Sequence, residues 1–378
     1  MTTLLQLQAL GQSPWQDNIS RTQLRSGGLA RMVTDGDITG LTSNPTIFEQ
    51  AIGKSDAYDA ELHSYARAGL SAEQIFYALA IEDIQAAADV FQPLYARSKG
   101  REGFVSLEVS PRLAHDTAGT VNEAQRLAQQ VQRQNLMIKI PATRAGLPAI
   151  TATLAAGISV NVTLIFSLQR YREVIDAHLA GIEQALAAGR SLEGIASVAS
   201  FFVSRVDSMI DKQLADRMAA DPQTRPQLQA LRGRAAIANA RLAYQLFSET
   251  LQTPRWTTLA ARGAQPQRPL WASTSTKDPA YRDVLYVEQL IGPQTVNTLP
   301  PATLQAFKDH GSATVTLHPQ AGDSQQLLQQ LATAGIDLQR ATEQLEADGV
   351  AAFQKSFDSL LAVIEQRRTE VLAAKPAT

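Results

Sequence analysis

Eight short apolar runs, each ended by small polar residues and followed by amphipathic helical stretches, recur along the chain and limit its fold more than any other feature. They occupy 14–18, 38–44, 103–110, 135–141, 159–166, 196–203, 269–276 and 295–299. Their length, β-branched content and closing residues mark them as strands of a parallel sheet buried on both faces. The helical stretches between them are rich in Ala, Leu, Gln and Arg, and two carry start signals that resemble capping boxes: Ser71 with Gln74, and Thr120 with Glu123. Eight strands alternating with helices over 378 residues favour an α/β fold of the (β/α)8 TIM-barrel type over a doubly wound open sheet. No Gly-, Ser- or Pro-rich linker divides the chain, so residues 1–378 are expected to form one barrel domain with two additions. A helical insertion covers about 204–263, interrupted at Asp221-Pro222 and Thr253-Pro254, and a helical extension covers about 322–373 before a frayed Ala/Lys/Pro/Thr terminus.

Composition narrows the function classes. With 34 basic and 36 acidic residues the net charge is −2, which gives no footprint for nucleic acid or anionic lipid, while a local basic pocket for one phosphate stays open. Cysteine is absent, which removes disulfides, thiolate nucleophiles and cysteine metal ligands. The five histidines lack ligand spacing, so no metal site is expected. Gly53-Lys54-Ser55 has the end of a P-loop, but Phe48 stands where the first glycine is required. From Ala145 to Gln169 no charged residue occurs, yet the pattern changes near Gly157 from helical to alternating, which reads as a helix and then a buried strand, not a membrane span. The first ten residues carry neither a basic n-region nor a long apolar core, so the cytoplasm is the expected location.

Strand parity locates the chemistry. In Asn135-Leu-Met-Ile-Lys-Ile-Pro141, Leu136, Ile138 and Ile140 share one face and Met137 and Lys139 the other. A lysine at the C-terminal end of a core strand either snorkels to solvent, pairs with an acid, or serves as an amine nucleophile freed by burial. The neighbouring strands bear on the choice. Glu108 shares an inward face with Ser106 and Ser110; Val160, Val162 and Leu164 face the helices and leave Asn161, Thr163 and Ile165 inside; Gly40, Thr42 and Asn44 form a further set, Val198, Ser200 and Phe202 another, and Trp271, Ser273, Ser275 and Lys277 one more. Asp17, Asn44, Glu108, Lys139, Asn161, Thr163 and Ser200 therefore converge on one end of the barrel, and each buried donor or charge there costs ~1–3 kcal/mol if it lacks a partner. A lysine, two carboxylates and several hydroxyl and amide groups are the parts of a Schiff-base enzyme acting on a polyhydroxylated carbonyl compound. The other reading of the same residues is a barrel scaffold whose inner polar groups form a structural network.

These strands also carry a resemblance. Gly40-Leu-Thr-Ser-Asn-Pro-Thr-Ile-Phe48, Val105-Ser-Leu-Glu-Val-Ser-Pro111, Met137-Ile-Lys-Ile-Pro141, Val160-Asn-Val-Thr-Leu-Ile-Phe-Ser167 and Ser200-Phe-Phe-Val-Ser-Arg205 resemble, in order, the signature strands of transaldolases, and Ser-Thr-Lys-Asp-Pro at 275–279 resembles their larger bacterial subgroup. The resemblance implies a (β/α)8 barrel without metal or organic cofactor that passes a dihydroxyacetone unit between sugar phosphates of the pentose phosphate pathway. By this analogy Lys139 forms the Schiff base with a ketose phosphate such as sedoheptulose 7-phosphate or fructose 6-phosphate. Glu108 is the acid/base working through a water that Thr163 positions, and Asp17 is the base at the C4 hydroxyl. Asn44, Asn161 and Ser200 hold the dihydroxyacetone unit, and Arg205 binds phosphate. Ser275 and Lys277 stand where many members have a Ser-Phe-Arg phosphate segment, so Lys277 is either a phosphate-binding point charge or a helix-entry lysine in solvent. Fructose-6-phosphate aldolases resemble one another in carrying Gln at the Glu108 position and Tyr at the Phe202 position, so both residues here match the transferases, with a dihydroxyacetone-releasing lyase as the alternative. Homodimers are common in the family, and the outer helices of a barrel offer the surface for one.

Overall fold

The computed structural model describes residues 2–373, and the Lys/Pro/Thr end of the chain lies outside them. Eight parallel strands close into a barrel in sequence order: β1 (Gln12–Asp17), β2 (Gly40–Thr42), β3 (Val105–Glu108), β4 (Leu136–Pro141), β5 (Val160–Ile165), β6 (Ser197–Phe202), β7 (Arg268–Ala272) and β8 (Thr295–Leu299), with β8 paired to β1. Every strand falls on one of the expected runs. Alternation explains the packing of β3: Val105 and Leu107 are buried toward the helices, while Ser106 turns inward and its hydroxyl accepts a bond of 3.1 Å from Asn161 Nδ2 across the barrel. Tight approach shapes the β1–β2 corner, where a Cβ on Gly40 would fall 2.5 Å from the Trp15 indole. At the other end of the barrel Arg268 pairs with Glu102 at 2.9 Å and donates to Ser13 Oγ at 2.9 Å, closing the interior beneath β7 and β1.

The helix starts follow capping chemistry. Ser71 and Gln74 form the reciprocal capping box at the start of the helix Ala72–Arg97. Thr120 and Glu123 do not. The helix there begins earlier, at Thr117, because the Asp116 side chain accepts from Gly119 N–H at 2.9 Å and is the cap. Thr120 lies inside the first turns, its hydroxyl donating to Leu113 C=O, and Glu123 binds Arg126 instead. The uncharged 145–169 segment is the helix Gly146–Ala155 followed by β5, and no helix among the described residues is long and apolar enough to cross a membrane.

Between β6 and β7 run the helices Ser204–Ala220, Arg225–Gln229, Ala235–Thr250 and Pro254–Ala260. After β8 come Pro301–His310, Ser324–Thr333 and the C-terminal helix Leu338–Ala373. The last of these crosses the C-terminal mouth of the barrel, packing on the helices Pro45–Gly53 and Ala72–Arg97.

Two strands depart from simple alternation. In β5 the register shifts between Val162 and Ile165, and Leu164 takes a left-handed φ of 61°. Ile165, expected inside, is consequently in register with Phe201, which packs outward on Tyr171. In the 271–277 set Trp271 also faces outward, edge-on to Phe201, while Leu270 and Ala272 border the interior. Ser273, at φ 57°, reverses the alternation just past the end of β7 and so reaches the same interior.

Candidate active site

The C-terminal ends of the strands surround a cavity of about 270 Å³ whose lining includes Asp17, Asn44, Lys139, Thr163, Ser200, Phe202, Arg205, Ser275 and Lys277. Register creates its floor: Glu108 sits beside Lys139 on β3 and β4, and Lys139 beside Asn161 on β4 and β5, so the three side chains project from one level of the barrel. Lys139 is buried at 5% exposure, and of the fates open to it the ion pair is the one observed. Its Nζ lies 3.3 Å from Glu108 Oε2 and donates to the Ser43 carbonyl at 3.2 Å. The Glu108 Oε2 contact is an ion pair without hydrogen-bond alignment, and Thr163 Oγ1, also buried, has no hydrogen-bond partner among the described residues. Thr163 borders the cavity, so its hydroxyl is left to bind whatever enters there.

Burial raises the pKa of Glu108; Lys139 opposes the rise through its charge and its contact, and the charge of Asp17 adds to it. Asp17, at the end of β1, is raised by burial too and pulled back by Lys139, Arg205 and Lys277 in that order. Both carboxyl groups are therefore set to exchange protons more readily than exposed ones. Arg205 opens the helix Ser204–Ala220, with its guanidinium carbon 5.2 Å from the centre of the Phe202 ring; burial lowers its pKa and the Asp17 charge counters this. Lys277 lies not at a helix entry but in an irregular loop, since no helix follows until Leu285, and its Nζ donates to Ser275 Oγ at 2.8 Å. Arg205, Lys277, Ser273 and Ser275 border the same cavity as Asp17 and Lys139 and make part of its lining basic and hydroxylic.

The amide residues play unequal parts. Asn44 caps the helix Pro45–Gly53, its Oδ1 accepting from Ile47 N–H at 2.9 Å, which fixes the orientation of the side chain at the cavity wall. Asn161 is fully buried: its Oδ1 accepts from Ser200 Oγ at 2.7 Å and its Nδ2 donates to Ser106 Oγ. It ties β3, β5 and β6 together beneath the cavity, and Ser200, not Asn161, is exposed to the space above. Residues that strand parity did not single out also line the site: Thr298 and Pro300 at the end of β8, and Phe353 from the C-terminal helix.

A sequence model of the transaldolase/fructose-6-phosphate aldolase family matches residues 14–364. The chain belongs to this family. A transaldolase of Parafrankia sp. (strain EAN1pec) is 52% identical over 365 residues, which are 96% of this chain and 97% of the relative. A transaldolase of Thermobifida fusca is likewise 52% identical over 365 residues, 96% and 98% of the two chains. Transaldolase 2 of Nostoc sp. is 45% identical over 367 residues, 96% of each. The family match runs past the last barrel strand and takes in Phe353, so most of the C-terminal helix lies within the family's shared length.

Proposed function

We propose that the chain is a transaldolase of the pentose phosphate pathway that works through a Schiff base on Lys139. The observation that carries the mechanism is the buried Lys139–Glu108 pair at 3.3 Å, whose lysine lines one cavity together with Asp17, Arg205 and Lys277. The Lys139 amine adds to the C2 carbonyl of sedoheptulose 7-phosphate or fructose 6-phosphate, and Glu108 transfers the protons that let the carbinolamine lose water. Thr163 Oγ1, without a hydrogen-bond partner among the described residues, holds that water. Asp17 takes the C4 hydroxyl proton as the C3–C4 bond breaks. The bond electrons move into the iminium, giving an enamine on Lys139 and a departing aldose phosphate, erythrose 4-phosphate or glyceraldehyde 3-phosphate. The acceptor aldose phosphate is attacked by the enamine in the reverse sequence, and water returns the new ketose phosphate and the free amine. Arg205 and Lys277 hold the phosphate, Ser275 steadies Lys277, and Asn44 and Ser200 hold the dihydroxyacetone hydroxyls above the Asn161 tie. The chemistry calls on no cofactor. The cytoplasm is the proposed setting, because charged sugar phosphates stay in the compartment where they are made.

Transfer is favoured over release of dihydroxyacetone because Phe202, which borders the cavity, offers no hydroxyl to deliver a proton to the enamine. The test is trapping. Incubation with fructose 6-phosphate followed by borohydride should leave a dihydroxyacetone-derived mass on the Lys139 peptide, and Lys139→Ala should lose it. An absent adduct in the wild type, or an undiminished one in the variant, refutes the Schiff-base assignment and leaves the inner residues as a structural network.

A further inference from the structure

We infer that Phe353, delivered by the C-terminal helix, shields the enamine on Lys139 from protonation by water and so commits the dihydroxyacetone unit to transfer. The inference rests on the Schiff-base reading above. Phe353 is 5% exposed, borders the same cavity as Lys139, Thr163 and Phe202, and places its ring centre 5.6 Å from Lys139 Nζ. Its position has a traceable cause. The left-handed turn at Leu164 directs that side chain at Gly349 of the C-terminal helix, where a Cβ would fall 2.9 Å from Leu164 Cδ2. A glycine in a helix interior weakens the helix relative to alanine, so the close approach is what it provides. Phe353 lies four residues further on and hence on the same helix face. That face is fastened on both sides, by Arg170 to Glu346 at 3.1 Å and by Thr46 to Ser356 at 2.9 Å. Phe166 lies against the same stretch of helix, 3.7 Å from where a Cβ on Gly349 would fall, and its ring is 5.0 Å from that of Phe202. The nitrogen that would carry the enamine is thus overlaid by the Phe353 ring, and Phe202 borders the same cavity.

The chemistry gives such a shield a purpose. The enamine carbon C3 can attack an aldehyde, which is transfer, or take a proton from water. Protonation at C3 restores the iminium, hydrolysis takes back the water lost during condensation, and free dihydroxyacetone and the lysine amine result. Excluding water from C3 suppresses the second course without touching the first.

The partition between the two courses is the readout, because a loss of folded protein scales both equally. Phe353→Ala and Phe353→Leu are to be compared with wild type for dihydroxyacetone released from fructose 6-phosphate without acceptor, for transfer to erythrose 4-phosphate, and for the borohydride adduct on Lys139. Phe353→Ala should raise the ratio of release to transfer on the order of tenfold, with Phe353→Leu between it and wild type, and both should keep the adduct. Gly349→Ala, which displaces the helix without altering the ring, should shift the ratio in the same direction. An unchanged ratio in the folded variants that still form the adduct overturns the role of Phe353. No adduct in the wild type instead overturns the Schiff-base reading, and this inference with it.

Discussion

The Tyr281 hydroxyl donates a hydrogen bond of 2.7 Å to Asp211 Oδ2, joining the helix that begins beside Arg205 to the loop that carries Lys277. Asp211 also accepts from Gly233 N–H at 3.0 Å, and Arg232 pairs with Asp278, next to Lys277, at 2.9 Å. The two cations on the cavity rim are therefore held in register by contacts that never reach the cavity. Tyr281→Phe removes one donor from a buried carboxylate, which costs about 1–2 kcal/mol of stability. With the loop loosened, KM for erythrose 4-phosphate should rise roughly threefold to tenfold, the scale of one lost positioning contact, while kcat changes little. Unphosphorylated erythrose as acceptor separates the explanations: its kcat/KM should stay near wild type, and an equal loss for both acceptors would show that the bond only supports the fold.

Glu108→Gln keeps the volume of the side chain beside Lys139 and removes its ability to move a proton. Transfer should fall by about 10²–10⁴-fold, the usual contribution of a positioned acid/base. Trapping should still mark Lys139 at long incubation, only more slowly. A variant that transfers at the wild-type rate would place the proton transfers elsewhere in the site.

Asp207 gives the fold a pH dependence separate from the chemistry. It is 1% exposed, and burial, the largest cause, pushes its pKa up to about 7. The Ala236 amide lowers it, the neighbouring charge of Asp211 raises it, and the Tyr286 hydroxyl and the Ala235 amide lower it. A folded pKa above the unfolded value of 3.8 means that the folded state holds the proton more tightly between the two values. Stability from this group is therefore complete below the unfolded pKa and is lost as pH rises toward about 7. Asp207→Asn, which cannot ionise, should flatten the stability profile across that window. Urea unfolding at a series of pH values checks it, and a variant profile parallel to wild type would contradict the assignment.

The barrel was legible because each strand is a local signal, a short apolar run closed by residues that cannot extend a ladder. Most of the cavity was legible for a related reason: period-two parity puts Glu108, Lys139, Thr163 and Ser200 on inner faces whatever the loops do. Parity failed where the backbone leaves the pleat. Leu164 and Ser273 adopt left-handed conformations that no glycine announces, so Ile165 was placed inside and Trp271 was grouped with inward residues. Asp116 displaced Thr120 as a cap because several polar residues near a helix start compete for the same amides, and spacing alone does not rank them. Phe353 was invisible as a site residue for a different reason. Its helical periodicity announces a buried face, but the strand that the face covers lies some two hundred positions earlier in the chain, and only tertiary packing connects them. Gly349 was the available clue, a helix-interior glycine with no local purpose.

The turn after β4 is the place where a single methyl group should disturb the site most. A Cβ on Gly146 would fall 2.0 Å from the Pro141 carbonyl oxygen and 3.1 Å from Thr143 Oγ1, which already accepts from Gly146 N–H at 2.9 Å. The carbonyl belongs to the last residue of β4, two positions beyond Lys139, so relief of the clash must move the end of that strand. Gly146→Ala should cost about 1–3 kcal/mol as an overpacked site and reduce the rate of Lys139 trapping as well. Gly53→Ala is the control. Its Cβ would meet only Val363 Cγ1, at 4.0 Å, at the end of a helix where φ is not positive. That substitution should be neutral or stabilising by about 0.4–1 kcal/mol, through the smaller entropy of the unfolded chain. Unfolding midpoints and trapping rates for the two variants provide the comparison, and a Gly146→Ala protein as stable and as reactive as Gly53→Ala would show that the end of β4 yields without affecting the amine.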